Sequence, residues 1–160
     1  MKIDEFIESL RKLNIDITSR QLEQLEEYYN LLVEWNEKIN LTRITLKDDV
    51  YLKHFYDSAT IVKVIDLNKI NNFCDFGTGA GFPGIVIKIL FPSLNVTLVD
   101  SLNKRINFLN IVIEKLKLEK IVAIHSRIED FARTHREKFD LVAARAVASL
   151  PVLLEYATGI

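Results

Sequence analysis

Glycine and proline are missing from residues 1–76 of this 160-residue chain, and only five glycines and three prolines occur in all. A stretch so poor in chain-breaking residues excludes a loop-rich or hairpin-rich N-terminal half. Cysteine is scarce too: Cys74 stands alone, so no disulfide can close within the chain and the thiols are too few for a zinc cluster. His125 and His135 lack a third ligand at sensible spacing, and no metal site is expected. No run approaches the ~18 consecutive apolar residues of a membrane span. Met1 to Ile17 intersperses Lys2, Asp4, Glu5, Glu8, Arg11 and Lys12 with apolar residues, unlike the apolar core of a secretory signal. These absences lead to the expectation of a cytoplasmic, monomeric protein without membrane attachment. Charge of one sign is not in excess, with 21 basic and 22 acidic residues, so no global field draws the chain to nucleic acid. Any RNA contact has to come from a local patch.

What is present in the first part is helical periodicity. Leu22, Leu25, Tyr28 or Tyr29, Leu32 and Trp35 form an apolar stripe behind two candidate caps, Thr18 and Ser19, which predicts a long helix over 18–38. A shorter helix over 3–13 precedes it, and Asp48 or Asp49 can cap a third over 49–65. From Ile70 onward the period changes, and β-favouring apolar runs alternate with helical ones, as in successive βαβ units of a parallel sheet. Strands are expected at 71–76, 95–100, 121–125 and 139–144, with helices at 83–91, 102–118 and 127–133 and another beginning near Ser149 or Pro151. The reading is an α/β chain: an N-terminal helical segment, 1–68, packed on a Rossmann-like cofactor-binding domain, 69–160.

Four of the five glycines lie between Gly77 and Gly84, directly after a predicted strand and leading into a predicted helix. Glycine permits positive φ and lets a ligand approach the main chain with no Cβ in the way. Gly79-Ala80-Gly81-Phe82-Pro83-Gly84 satisfies the dinucleotide fingerprint, and Asp100 follows at a distance suited to a ribose hydroxyl, so a dinucleotide-dependent oxidoreductase is a competing reading. Asp75 argues against it, because a carboxylate just ahead of the loop repels a pyrophosphate and attracts an amino group. Phe82 and Pro83 argue likewise, since they occupy the helix entrance where phosphate uses free N–H groups. A ligand with adenosine, a cationic sulfonium and no phosphate, as in S-adenosylmethionine, suits Asp75, Gly77, Gly79 and Asp100 better.

Each of these residues also has a plainer reading. An acid at a strand end, such as Asp100, commonly caps the next helix. Arg145 follows the run Phe139 to Ala144, at a strand tip where it can hold a ligand carboxylate or an RNA phosphate, but an isolated arginine is more often a surface ion pair. His54 and Asp57 face one side of a predicted helix, as a local pair or a brace for the site. Trp35 suits core packing better than base stacking. Cys74, in an apolar strand, is read as structural. Arg43, Lys47, Lys53, Lys104 and Arg105 can form a basic rim, although scattered bases are usually a solvated surface.

Taken in order, several motifs resemble those of one family, the bacterial ribosomal small-subunit RNA methyltransferase G, or glucose-inhibited division protein B. They are Trp35-Asn36 with Asn40-Leu41-Thr42, His54 with Asp57-Ser58, and Asp75 to Gly84. Asp100 to Arg105, Ser126-Arg127-Ile128-Glu129 and Arg145 to Leu150 follow. The resemblance implies a class I methyltransferase fold and methyl transfer from S-adenosylmethionine to N7 of a guanine in 16S ribosomal RNA, free or in the small subunit. It carries cofactor contacts onto Gly77, Phe82, Ile128, Glu129 and Arg145. Guanine N7 has a lone pair and no proton, so no general base is named, and Arg145 is expected to act by positioning and charge. The family continues past Ile160 and its class has a seven-stranded sheet, so about four strands here imply an incomplete one, and a non-catalytic, truncated cofactor-binding fragment is a further competing reading.

Overall fold

The N-terminal helices form as their apolar stripes require. In the computed structural model, which describes residues 1–135, 138–145 and 152–155, with the backbone alone at Arg145 and 152–155, α1 spans Ile3–Lys12 and α2 spans Ser19–Ile39. Thr18 caps α2 through a reciprocal box: its hydroxyl accepts from the Gln21 N–H at 3.1 Å and its own N–H donates to the Gln21 side chain at 2.8 Å. Asn40, left-handed at φ 51°, ends the helix. Among the described residues, no helix is long and apolar enough to cross a membrane.

The single helix expected over 49–65 is instead a helical run of changing pitch. It comprises α3 (Lys47–Val50), a π-helical turn over Tyr51–Tyr56, α4 (Asp57–Ala59) and a 3-10 turn over Thr60–Lys63. Neither acid caps it: Leu46 occupies that position, and Asp48 and Asp49 lie in the first turn. The wide turn seats two bulky rings of one run inward together. Tyr51 meets Phe6 edge-on at 5.0 Å, and Phe55 stacks on Tyr28 at 5.6 Å, all four fully buried. Packing of this kind outweighs the regular helical period, because each aromatic pair contributes about 0.5–1.5 kcal/mol beyond its area.

The remainder is a twisted sheet in the order β3-β2-β1-β4-β5. The strands are β1 (Asn72–Phe76), β2 (Asn95–Asp100), β3 (Ile121–His125), β4 (Leu141–Arg145) and β5 (Val152–Glu155). The first four are mutually parallel, as expected for βαβ units, and are linked by α5 (Gly84–Leu90), α6 (Asn103–Lys115) and α7 (Ile128–His135). One expectation is corrected at the end of the chain. Where a helix was expected to begin near Ser149 or Pro151, residues 152–155 form a fifth strand, antiparallel to β4, with Arg145 opposite Val152. Leu153 and Leu154 suit a paired strand as readily as a helix, and short apolar runs do not decide between the two by pattern alone. Ser149 and Pro151 themselves, with the rest of the Ala146 to Leu150 motif, lie outside the described residues.

Side chains alternate across β1 and build a core on each face of the sheet. Phe73, Val96, Leu98, Leu141 and Ala143 join one cluster with α1, α2, α5 and α6, which runs unbroken from Phe6 to Ala143. Cys74, Phe76, Val99 and Val142 form a second, covered by Phe131 of α7 and by Phe139. The chain therefore winds one way through β3 and then reverses to place β4 on the other side of β1. In open sheets of this kind the reversal leaves a crevice at the carboxyl ends of the two central strands. Asp140 ties those strands at their opposite ends, accepting from the Asn71 and Asn72 N–H groups at 2.8 and 2.9 Å.

Candidate functional site

Strand register sets which residues share the crevice. Phe76 lies opposite both Val99 and Ala144, and Asp100 lies opposite His125. One step further along, Gly77 leaves β1 at the level of Asp100 on one side and the backbone of Arg145 on the other. Arg145 is the last residue of β4 and so stands at its tip, one position nearer the strand than its sequence context predicted.

The loop after β1 is shaped by glycine. Gly77, Gly79 and Gly81 take φ values of 67°, 58° and 103°, which side-chain-bearing residues rarely adopt. Open space surrounds Gly79, where an added Cβ would meet nothing within 4 Å, whereas one at Gly77 would lie 3.5 Å from Ile128 Cδ1. Ile128, in the first turn of α7 and 38% exposed, thus walls the crevice beside Gly77. Glu129 follows it in the same turn and is exposed.

Asp75 is completely buried and acts as a staple within the loop. Its Oδ2 accepts from the Thr78 hydroxyl at 2.7 Å and from the Gly84 N–H at 2.9 Å, closing the loop onto the start of α5. Asp100 does comparable work from the neighbouring strand. Oδ2 accepts from the Gly79 N–H at 2.9 Å, Oδ1 accepts from the Leu102 N–H at 2.9 Å, and Arg105 pairs with it at 3.5 Å. The plain reading of Asp100 as the cap of α6 is not realised: Leu102 holds that position with no side-chain bond, and Asp100 accepts in the turn ahead of the helix. The functional reading stands beside that turn role, since an ionised carboxylate has about four acceptor positions.

Phe82 turns its ring into the core, 1% exposed, and its peptide bond to Pro83 is cis. The ring stacks on His54 at 4.2 Å between centroids with planes 7° apart, and His54 Nε2 lies 2.9 Å from the Thr42 hydroxyl. His54 thus braces the loop through Phe82, and Asp57 is exposed on α4. Tyr28 was read only as one residue of an apolar stripe. Its hydroxyl donates to the Ala80 carbonyl of the loop, a role that helical spacing does not signal.

The other sequence readings resolve by contact. Trp35 packs against Phe108 at 6.4 Å, with Lys38 over its ring at 4.6 Å, in keeping with core packing. In the basic rim, Lys47 is paired with Glu26 at 2.8 Å and Arg105 with Asp100, while Arg43, Lys53 and Lys104 are exposed. Cys74 is buried, and burial with the neighbouring Asp75 carboxylate raises its thiol well above the usual range. Only the thiolate is nucleophilic. Native protein at pH 8 should therefore resist a thiol reagent such as dithionitrobenzoate, and react fully once urea unfolds it; rapid labelling of the native chain would contradict this burial.

Comparison with known proteins agrees with the geometry. The family model described as rRNA small subunit methyltransferase G matches residues 21–160. The chain is 58% identical over 97% of its length to Ribosomal RNA small subunit methyltransferase G of Bacillus velezensis, and 56% identical over the same share to that of Bacillus subtilis. It spans 66% of the length of each of these relatives. Among solved structures, one described as a caffeoyl-CoA O-methyltransferase from Staphylococcus aureus is similar in fold alone. It has a TM-score of 0.50 at 16% identity, covering 71% of this chain and 51% of that one. A Rossmann-like methyltransferase sheet with an N-terminal helical segment, its glycine loop facing an acid at the tip of β2, and matches of this extent lead to one conclusion: the chain belongs to the rRNA small subunit methyltransferase G family.

Proposed function

We propose that this protein methylates N7 of a guanine in 16S ribosomal RNA with S-adenosylmethionine as donor. The observation that carries the reading is the crevice edge itself. Three left-handed glycines curve past Asp100, which accepts the Gly79 N–H, and Ile128 stands beside Gly77. Asp100 places a carboxylate at this edge and Asp75 lies buried behind the loop, where a pyrophosphate site needs N–H groups free of acidic neighbours, so the residues fit an adenosine ligand with a cationic rather than a phosphate-bearing tail. When bound, the cofactor supplies an electrophilic methyl group on a sulfonium.

The chain's own residues then do the following. Asp100 accepts ribose hydroxyls at the tip of β2, Ile128 covers one face of the adenine, and Glu129 meets its edge. The open side of Gly79 and the main chain of Gly77 and Phe82 line the approach to the amino acid portion, with Asp75 holding their conformation. Arg145 pairs with the cofactor carboxylate or an RNA phosphate and aligns the reactants, and no side chain has to remove a proton.

Labelled S-adenosylmethionine tests this with the full-length protein, supplied either with deproteinised 16S RNA or with intact small subunits. Label is expected in RNA that borohydride and aniline then cleave at the modified base, the behaviour of N7-methylguanine. Arg145→Ala should lower the rate at least tenfold, roughly the loss of one charge-assisted pair. Absence of label in both substrates would sink the proposal, and label without strand cleavage would move the methyl group to another atom.

A further inference from the structure

We propose that Tyr28, on the N-terminal helix α2, is a positioning residue for the cofactor loop, with its hydroxyl holding the Ala80 carbonyl and standing against Gly81. The inference rests on the reading of that loop as a cofactor site. It adds a residue that lies far from the glycine motif in sequence, on a helix whose stripe otherwise looks like ordinary core.

The loop is anchored at several points by the sheet. Gly77 and Thr78 donate their N–H groups to the Val99 carbonyl at 2.8 and 3.2 Å, Gly79 donates to Asp100, and Thr78 and Gly84 donate to Asp75. All of these hold the two ends of the loop or its sheet-facing side. Ala80 and Gly81 form its apex, and Ala80 is only 3% exposed. Here α2 provides the anchor, since the Tyr28 hydroxyl donates to Ala80 and lies 2.6 Å from where a Cβ on Gly81 would be.

Tyr28 is itself held in place. It is fully buried, stacks on Phe55 at 5.6 Å and meets Phe82 at 5.5 Å, so its hydroxyl is carried by a packed aromatic group rather than by a mobile side chain. Gln21 and Gln24 of the same helix donate to the Ile89 and Leu116 carbonyls at 2.9 Å, tying α2 to the ends of α5 and α6. Fixing glycine-rich backbone costs more entropy than fixing other residues. A loop already held at its apex does not meet that cost when the ligand arrives, which is the general basis of preorganisation.

Calorimetric titration of the full-length protein with S-adenosylmethionine tests this, comparing Tyr28→Phe with Tyr51→Phe. Tyr51 donates its hydroxyl to Glu26 and packs on Phe55 at 4.9 Å, so the second variant loses a buried hydroxyl from the same aromatic group without touching the loop. Tyr28→Phe is expected to raise Kd and KM for the cofactor roughly fivefold to tenfold, with kcat within about twofold. Tyr51→Phe should leave both constants unchanged. Amide exchange should quicken at Gly81 and Phe82 in Tyr28→Phe, because both donate to the Thr78 carbonyl across the apex.

Unchanged cofactor affinity in Tyr28→Phe would overturn the inference, as would an equal loss in Tyr51→Phe, which would mean general loosening of the helical core. Wild-type protein that bound no S-adenosylmethionine at millimolar concentration would overturn the cofactor reading and this inference with it. Wild-type binding that Tyr28→Phe leaves intact overturns this inference alone.

Discussion

Asp75→Ala is expected to destabilise the ligand-free chain by about 3–5 kcal/mol in urea unfolding and to abolish measurable S-adenosylmethionine binding. The stability figure follows from two hydrogen bonds to a buried charged acceptor, each contributing about 1.5–3 kcal/mol. Both end on one oxygen: the Thr78 hydroxyl at 2.7 Å and the Gly84 N–H at 2.9 Å. Asp75→Asn keeps an oxygen able to accept both bonds and loses only the charge, so a loss of roughly 1–2 kcal/mol is expected there. The pair of variants separates two roles for the acid. If Asp75 acted only by attracting the ligand's amino group, the ligand-free protein would keep its stability in both variants and affinity alone would fall. The staple geometry requires stability and affinity to fall together, and in the same order.

The second large effect is expected from Gly84→Ala, although alanine is the better helix former by about 1 kcal/mol in an ordinary helix interior. The first residue of α5 lies directly on the sheet. An added Cβ would come 2.3 Å from Leu98 Cδ2, 2.8 Å from Asp75 Oδ2 and 3.2 Å from Asp75 Cβ. Leu98 and Asp75 are both fully buried, so neither can swing aside, and α5 has to move off the sheet. Overpacking of this kind costs about 1–3 kcal/mol, and the upper end is expected because a backbone-anchored helix has to shift. That shift also stretches the Gly84 N–H bond to Asp75, so cofactor affinity should fall roughly tenfold. Urea unfolding and calorimetry on the same variant check both effects; stability within about 0.5 kcal/mol of wild type would show that α5 accommodates a methyl group at no cost.

Long elements with a single strong period were legible from the start. The α2 stripe and its Thr18 cap, the alternating runs that become β1 to β4, and the glycine cluster after β1 all follow from local chemistry acting over a few residues. The third helical run was not legible in the same way. Its residues favour a regular helix, but Tyr51 and Phe55 are pulled inward by Phe6 and Tyr28, partners more than twenty residues away in the chain. β5 was missed for a related reason, because a strand of four residues takes its identity from the neighbour it pairs with.

The candidate site divides along the same line. From sequence alone came the candidates for the site: an acid before a glycine loop, an acid one strand later, and Ile128, Glu129 and Arg145 by resemblance. Spacing and residue type single out the glycines and the two acids, since left-handed backbone needs glycine and a strand tip needs a polar residue where the chain leaves the sheet. Tertiary structure alone decided how the acids are used and what supports the loop. Asp75 spends Oδ2 on closing the loop, Asp100 receives the Gly79 N–H, Phe82 stacks inward on His54, and Tyr28 reaches across from α2 to the apex. Hydrogen bonds and ring contacts depend on separation in space, and a helix ending at residue 39 meets a loop at residue 80 only in the folded chain.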